Sequence, residues 1–180
     1  MKTFLAALLS LFVATSAAWA QNQKPMTIAE LVTYSGTDRE QVLYAGAKLE
    51  GKLTWYTSLA GDSYKGMIKA FETRYPGVKV EAYRVGGSDI TARMLEEAKA
   101  KRPIVDTIET TEGNLMFQRD AQLIRPYFSP HFAAYPKEAK EPAERGLYFW
   151  ATARESYIGF AYNKNLLSKA AVPRKQACRS

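Results

Sequence analysis

The chain has 180 residues, of which 47% are apolar, 12% aromatic and 24% charged. That is a globular composition, long enough for one domain or two small lobes and unlike a collagenous or disordered chain. One cysteine, Cys178, excludes an internal disulfide framework and a cysteine-paired zinc ribbon, and one histidine, His131, excludes any site needing two imidazoles. The net charge of +7 is concentrated at one end: residues 164–180 hold Lys164, Lys169, Arg174, Lys175 and Arg179 and no acid. The rest is close to neutral with both signs interspersed, without the basic stripe that a nucleic-acid partner needs.

Lys2, the apolar run Phe4–Val13 broken only by Ser10, and the small residues of Ala18-Trp19-Ala20 have the form of a cleavable export signal over residues 1–20. The run is shorter than the ~20 residues that a membrane span requires. No cysteine stands at the cleavage point to carry a lipid, so no membrane insertion is expected after cleavage.

Residues 21–50 are predicted to carry two helices, Thr27–Ser35 and Thr37–Glu50. Thr37 and Glu40 are spaced as a capping box, and Gly51 stops the second helix. From residue 51 the pattern becomes strand, turn, helix. Leu53–Leu59 reads as a strand and Tyr64–Arg74 as a helix ended by Pro76 and Gly77. Val78–Val85 reads as the second strand; Gly86-Gly87 break it, Ser88 has the chemistry of an N-cap, and Asp89–Lys101 is amphipathic. Ile104–Glu109 reads as a third strand and Asn114–Ala121 as a short helix. Three such units in succession predict an α/β fold, a parallel sheet covered by helices on both faces.

Pro126–Gly146, with four prolines, reads as a long irregular segment. Leu147–Ala153 and Tyr157–Tyr162 look like two strands joined by Arg154-Glu155-Ser156, with another helix starting at Asn165.

Catalytic signatures are missing: there is no Gly-x-Ser-x-Gly elbow, Ser-x-x-Lys pair, His-Glu-x-x-His or phosphate loop ending in Lys-Ser/Thr. His131 lies in the irregular segment. Glu96-Glu97 are expected on a solvent face and Glu109 on the polar side of a strand end, leaving Glu112 as the acid kept for a pocket. The loops after the strands, namely Thr57-Ser58, Gly86-Gly87-Ser88, Thr110-Thr111-Glu112 and Arg154-Glu155-Ser156-Tyr157, are rich in hydroxyls and backbone donors. Such groups orient a small polar ligand, and in open parallel sheets ligands bind at this end of the strands.

Glu50-Gly51-Lys52-Leu53-Thr54-Trp55-Tyr56-Thr57-Ser58, Ala70-Phe71-Glu72 with Tyr75-Pro76-Gly77-Val78-Lys79-Val80, and Arg102-Pro103 before Asp106 together resemble the family 1 extracellular solute-binding proteins of ABC importers, in the ferric-binding-protein-like branch. Tyr135-Pro136 and Phe160-Ala161-Tyr162-Asn163 continue the match, which spans roughly residues 49–173. The resemblance implies a type II periplasmic-binding-protein-like fold whose two lobes close over a ligand. It divides the chain into a first lobe (51–153), an incomplete crossover into the second lobe (154–173) and a divergent basic tail (174–180), a truncated, N-terminal piece of such a protein.

It further implies a periplasmic, non-enzymatic and monomeric protein with no cofactor. Its partners would be a small-molecule or ion ligand and an inner-membrane ABC permease. The ligand-binding candidates are Thr57, Ser58, Gly87, Ser88, Thr110, Thr111, Glu112 and Tyr157, facing a small polar or anionic ligand or ferric iron as cargo. The family's iron-binding histidine after the first strand has no counterpart in Thr57-Ser58-Leu59-Ala60-Gly61. A half-cleft is expected to bind weakly. The alternatives are a secreted small hydrolase using Glu112 or His131, and a truncated fragment without function.

Overall fold

A computed structural model of the chain describes residues 26–155, 161–163 and 165–166. The export signal, Tyr157, most of the Tyr157–Tyr162 segment and the basic tail lie outside the described residues.

Two helices, α1 (Ile28–Thr33) and α2 (Arg39–Glu50), precede three β-α units: β1 (Lys52–Thr57) and α3 (Ser63–Arg74), β2 (Lys79–Arg84) and α4 (Gly87–Lys99), β3 (Thr107–Glu109) and α5 (Glu112–Asp120). The three strands form one parallel sheet in the order β2-β1-β3, flanked by helices. This is the expected α/β pattern. Its central strand reads Thr-Trp-Tyr-Thr over its last four positions, all buried, as a strand covered on both faces requires. Edge strand β2 instead exposes Lys79, Glu81, Ala82 and Arg84.

The core forms where Tyr56 of β1 meets Ile90 and Met94 of α4, with Tyr83, Val85, Val105, Ile108, Leu123 and Ile124 packed around them. Burying Ile90 and Met94 contributes about 1.5–3 kcal/mol for each side chain. The Tyr56 hydroxyl donates to Glu97 Oε1 at 2.5 Å and accepts from Arg93 Nε at 2.8 Å, while the N–H of Ile104 donates to Glu97 Oε2 at 3.0 Å. Burial, then the bond to Glu97, push the Tyr56 pKa up, so the phenol stays protonated and able to donate.

Several local expectations change. The capping box forms at Thr27 and Glu30 on α1, whereas α2 starts at Asp38 without a side-chain cap. Glu40, expected to cap, instead accepts from Arg74 and the Tyr75 hydroxyl, a guanidinium and a phenol that α3 brings within reach. Gly86, and not Ser88, is the N-cap of α4, placing Ser88 inside the first turn. The third strand is shorter than expected, because Ile104 is drawn to Glu97 and pairing with β1 begins only near Thr107. Glu97 is buried and not on a solvent face, since the chain returning to β3 folds over it. Gly51 ends α2 in the left-handed conformation at φ 75°, as expected.

The segment after α5 is more ordered than its prolines suggest. It holds 3-10 turns at Pro130–Ala134, Lys137–Ala139 and Glu144–Gly146, and a two-stranded antiparallel sheet of β4 (Lys140–Pro142) and β5 (Tyr148–Ala151). Phe132 is buried against Tyr127 and Tyr148. Arg39 donates to the carbonyls of Tyr34 and Phe128, and Arg119 pairs with Glu141, tying this segment to α2 and α5. Residues 161–163 are not in a strand. Among the described residues no helix is long and apolar enough to cross a membrane.

Candidate functional site

Because β2 and β3 lie on opposite sides of β1, the chain reverses its winding direction at β1, and the crevice of such a sheet opens beyond the carboxyl ends of the strands on either side of that switch. The loops after β1, β2 and β3 converge there, bringing together Thr57, Ser58, Gly87, Thr110 and their neighbours. A Cβ built on Gly87 would lie 2.4 Å from Thr110 Oγ1 and 2.4 Å from Asn114 Nδ2, so the first turn of α4 packs directly on the loop after β3 and on the first turn of α5. Any side chain there would force Thr110 and Asn114 to shift.

The hub of the cluster is Glu109, the last residue of β3 and the register partner of Thr57. Its Oε2 accepts from Thr57 Oγ1 at 2.8 Å, from the Ser58 N–H at 3.0 Å and from Ser58 Oγ at 3.3 Å. Its Oε1 lies 3.6 Å from Arg154 Nη2. The sequence favours Glu112 over Glu109, since alternation along the expected strand Ile104–Glu109 says which side a residue takes but not that the neighbouring strand ends on two hydroxyls.

The expected ligand-facing residues fall into distinct settings. Thr57 is fully buried: its hydroxyl donates to Glu109 and accepts from the Leu59 N–H, so it braces the loop from within. Ser58 is half-buried against Glu109, and Ser88 is exposed in the first turn of α4. Thr110 Oγ1 is buried and has no hydrogen-bond partner among the described residues. Thr111 is the N-cap of α5, but its hydroxyl accepts from Asn114 Nδ2 at 2.8 Å instead of capping the backbone. Glu112 is exposed at the start of α5. His131 is exposed in the 3-10 turn at Pro130–Ala134, a separate part of the fold.

Neither α4 nor α5 has a side-chain cap, which leaves first-turn amides at the crevice end, although the Asn114 amide of α5 turns back to the Thr111 carbonyl at 3.0 Å. Such termini favour oxygen acceptors and negative charge. Asp89 and Glu112 stand in those first turns and Glu109 ends β3 at the same end of the sheet, which tempers the attraction for a full anion and leaves a surface of hydroxyls, amides and carboxylate. Among the described residues no three His, Cys, Asp or Glu side chains gather in a way that could hold a metal ion.

A separate concavity of about 340 Å³ lies between α2 and the end of α3, lined by Thr37, Glu40, Gln41, Tyr44, Arg74 and Tyr75. Its charged groups are engaged with one another, since one oxygen of Glu40 takes Arg74 Nε, Arg74 Nη2 and the Tyr75 hydroxyl. The strand-end cluster is therefore the stronger candidate. No protein-family model matches the chain, and no curated protein matches it either.

Proposed function

We propose that the chain is the first-lobe portion of a periplasmic solute-binding protein serving an ABC importer. It would present half of a cleft to a small polar or anionic ligand, with ferric iron as an alternative cargo, and pass it to an inner-membrane permease without catalysis. The resemblance in sequence suggests the family. The observation that carries the reading is the sheet order β2-β1-β3, which gathers the hydroxyl-bearing loops and the uncapped ends of α4 and α5 on one edge. Preformed donors on a rigid sheet edge are what a noncovalent site uses to orient a polar solute. The hydrolase alternative gains nothing from the geometry, since Glu112 is exposed on α5 and His131 belongs to another segment.

The test is an NMR titration of the full chain with inorganic phosphate, an organic sulfonate and ferric citrate, each to millimolar concentration. Shifts confined to the amides of Ser58, Gly87, Ser88, Thr110 and Thr111 support the reading. Shifts absent with all three probes, or centred on Glu40 and Tyr75, overturn it.

A further inference from the structure

Gln118 is fully buried, although its side chain ends in a polar amide. It sits on α5 one turn beyond Asn114. Its Nε2 donates to Thr91 Oγ1 at 2.8 Å, and the Thr91 hydroxyl donates in turn to the Gly87 carbonyl at 3.1 Å. One side chain of α5 is thus linked through one hydroxyl to the first residue of α4, the glycine at which any added Cβ would run into Thr110 and Asn114. The other end of the amide is left unpaid: Oε1 is buried and finds no donor among the described residues. A leucine or methionine would fill such a position without that cost, because an unsatisfied buried acceptor loses its hydration and regains nothing.

We infer that Gln118 is a positioning residue, which through Thr91 ties the second turn of α5 to the first turn of α4 and so holds the starts of the two helices at the spacing of the strand-end site. The inference rests on the ligand-capture reading for its purpose, but its geometry and its test do not involve a ligand. A residue that keeps an unsatisfied buried atom to make one link across two helices is a local inconsistency of the kind found where function constrains a fold.

The test is hydrogen exchange on the full chain. The Ile90 amide bonds to the Gly86 carbonyl and the Leu115 amide to the Thr111 carbonyl, so they report on the two first turns. The Tyr75 amide, bonded to the Phe71 carbonyl at the end of α3, is the control. Gln118→Met should raise exchange at Ile90 and Leu115 by about fivefold or more, leave Tyr75 unchanged, and keep the unfolding equilibrium constant within about threefold of the parent's, because the lost bond is offset by relief of Oε1. Thr91→Val should produce the same local loosening and add nothing to Gln118→Met in the double variant. Thr91→Ser, which retains the hydroxyl, should restore parental exchange. Unchanged exchange at Ile90 and Leu115 overturns the inference. So does an equal rise at Tyr75, which would mark Gln118 as merely structural. Whether a solute binds is read separately by the titration, so failure of one does not imply failure of the other.

Discussion

Thr57 and Glu109, 52 residues apart in sequence, end neighbouring parallel strands in register and are joined by a 2.8 Å hydrogen bond from the threonine hydroxyl to the glutamate carboxylate. The same oxygen takes the main-chain N–H of Ser58, so one carboxylate fixes the loop that leaves the central strand. Glu109→Ala would strand the fully buried Thr57 hydroxyl and is expected to cost about 1–3 kcal/mol. Glu109→Gln keeps an acceptor but loses the charge, and should cost less than the alanine variant. Urea unfolding checks both, and an alanine variant as stable as the parent would show that the bond contributes nothing.

Glu97 makes the stability depend on acid. Burial pushes its carboxyl pKa up, but the bonds from Tyr56, the Ile104 backbone and Arg93 outweigh this and hold it below its ordinary value of 4.5. A depressed folded-state pKa means that the contribution is complete above the unfolded value and is lost as pH falls through the folded one. The parent's urea midpoint should therefore fall as the pH drops below the ordinary carboxyl value of 4.5, and that of Glu97→Gln should fall less steeply. Parallel profiles for the two proteins would contradict this assignment. The more exposed Glu40 and Glu72, also lowered, titrate in both proteins and cancel in the comparison.

Gly87→Ala is expected to destabilise the protein by about 1–3 kcal/mol, as overpacking in a closed space does. Asn114 can swing away from the added methyl, but the β-branched Thr110 has few rotamers to retreat to. The same change at Gly46, where a Cβ meets nothing within 4 Å, should instead stabilise its helix. Thermal unfolding of the two variants gives the contrast, and equal effects would argue against the close contact of α4 with the loop after β3.

Helices α4 and α5 end alike, with a non-glycine residue at positive φ: Lys101 at 53° and Gln122 at 57°. In each, the following amide reaches back to the last turn, Arg102 to the Glu97 carbonyl and Leu123 to the Gln118 carbonyl. The left-handed conformation costs a residue with a Cβ roughly 1 kcal/mol, so Lys101→Gly and Gln122→Gly should each stabilise the protein by up to about that amount. Denaturant midpoints measure it; a loss of stability in both would mean that these side chains make contacts outweighing the strain.

The sequence by itself determined the succession of β-α units, the termination of α2 at Gly51, the break at Gly86-Gly87 and the parallel sheet those units build. These follow from local rules, the apolar period along a strand or helix and the steric freedom of glycine and restriction of proline, which need no knowledge of distant residues. Only the tertiary structure decided which polar side chains do what. Glu40 caps nothing and pairs with Arg74, 34 residues on; Glu97 is buried under the chain returning to β3; Glu109 braces Thr57 and Ser58; and Gln118 reaches Thr91 across 27 residues. A carboxylate or amide takes whichever donor the neighbouring strand or helix brings within about 3 Å, and that neighbour is set by the order in which the strands assemble, a property no local pattern carries.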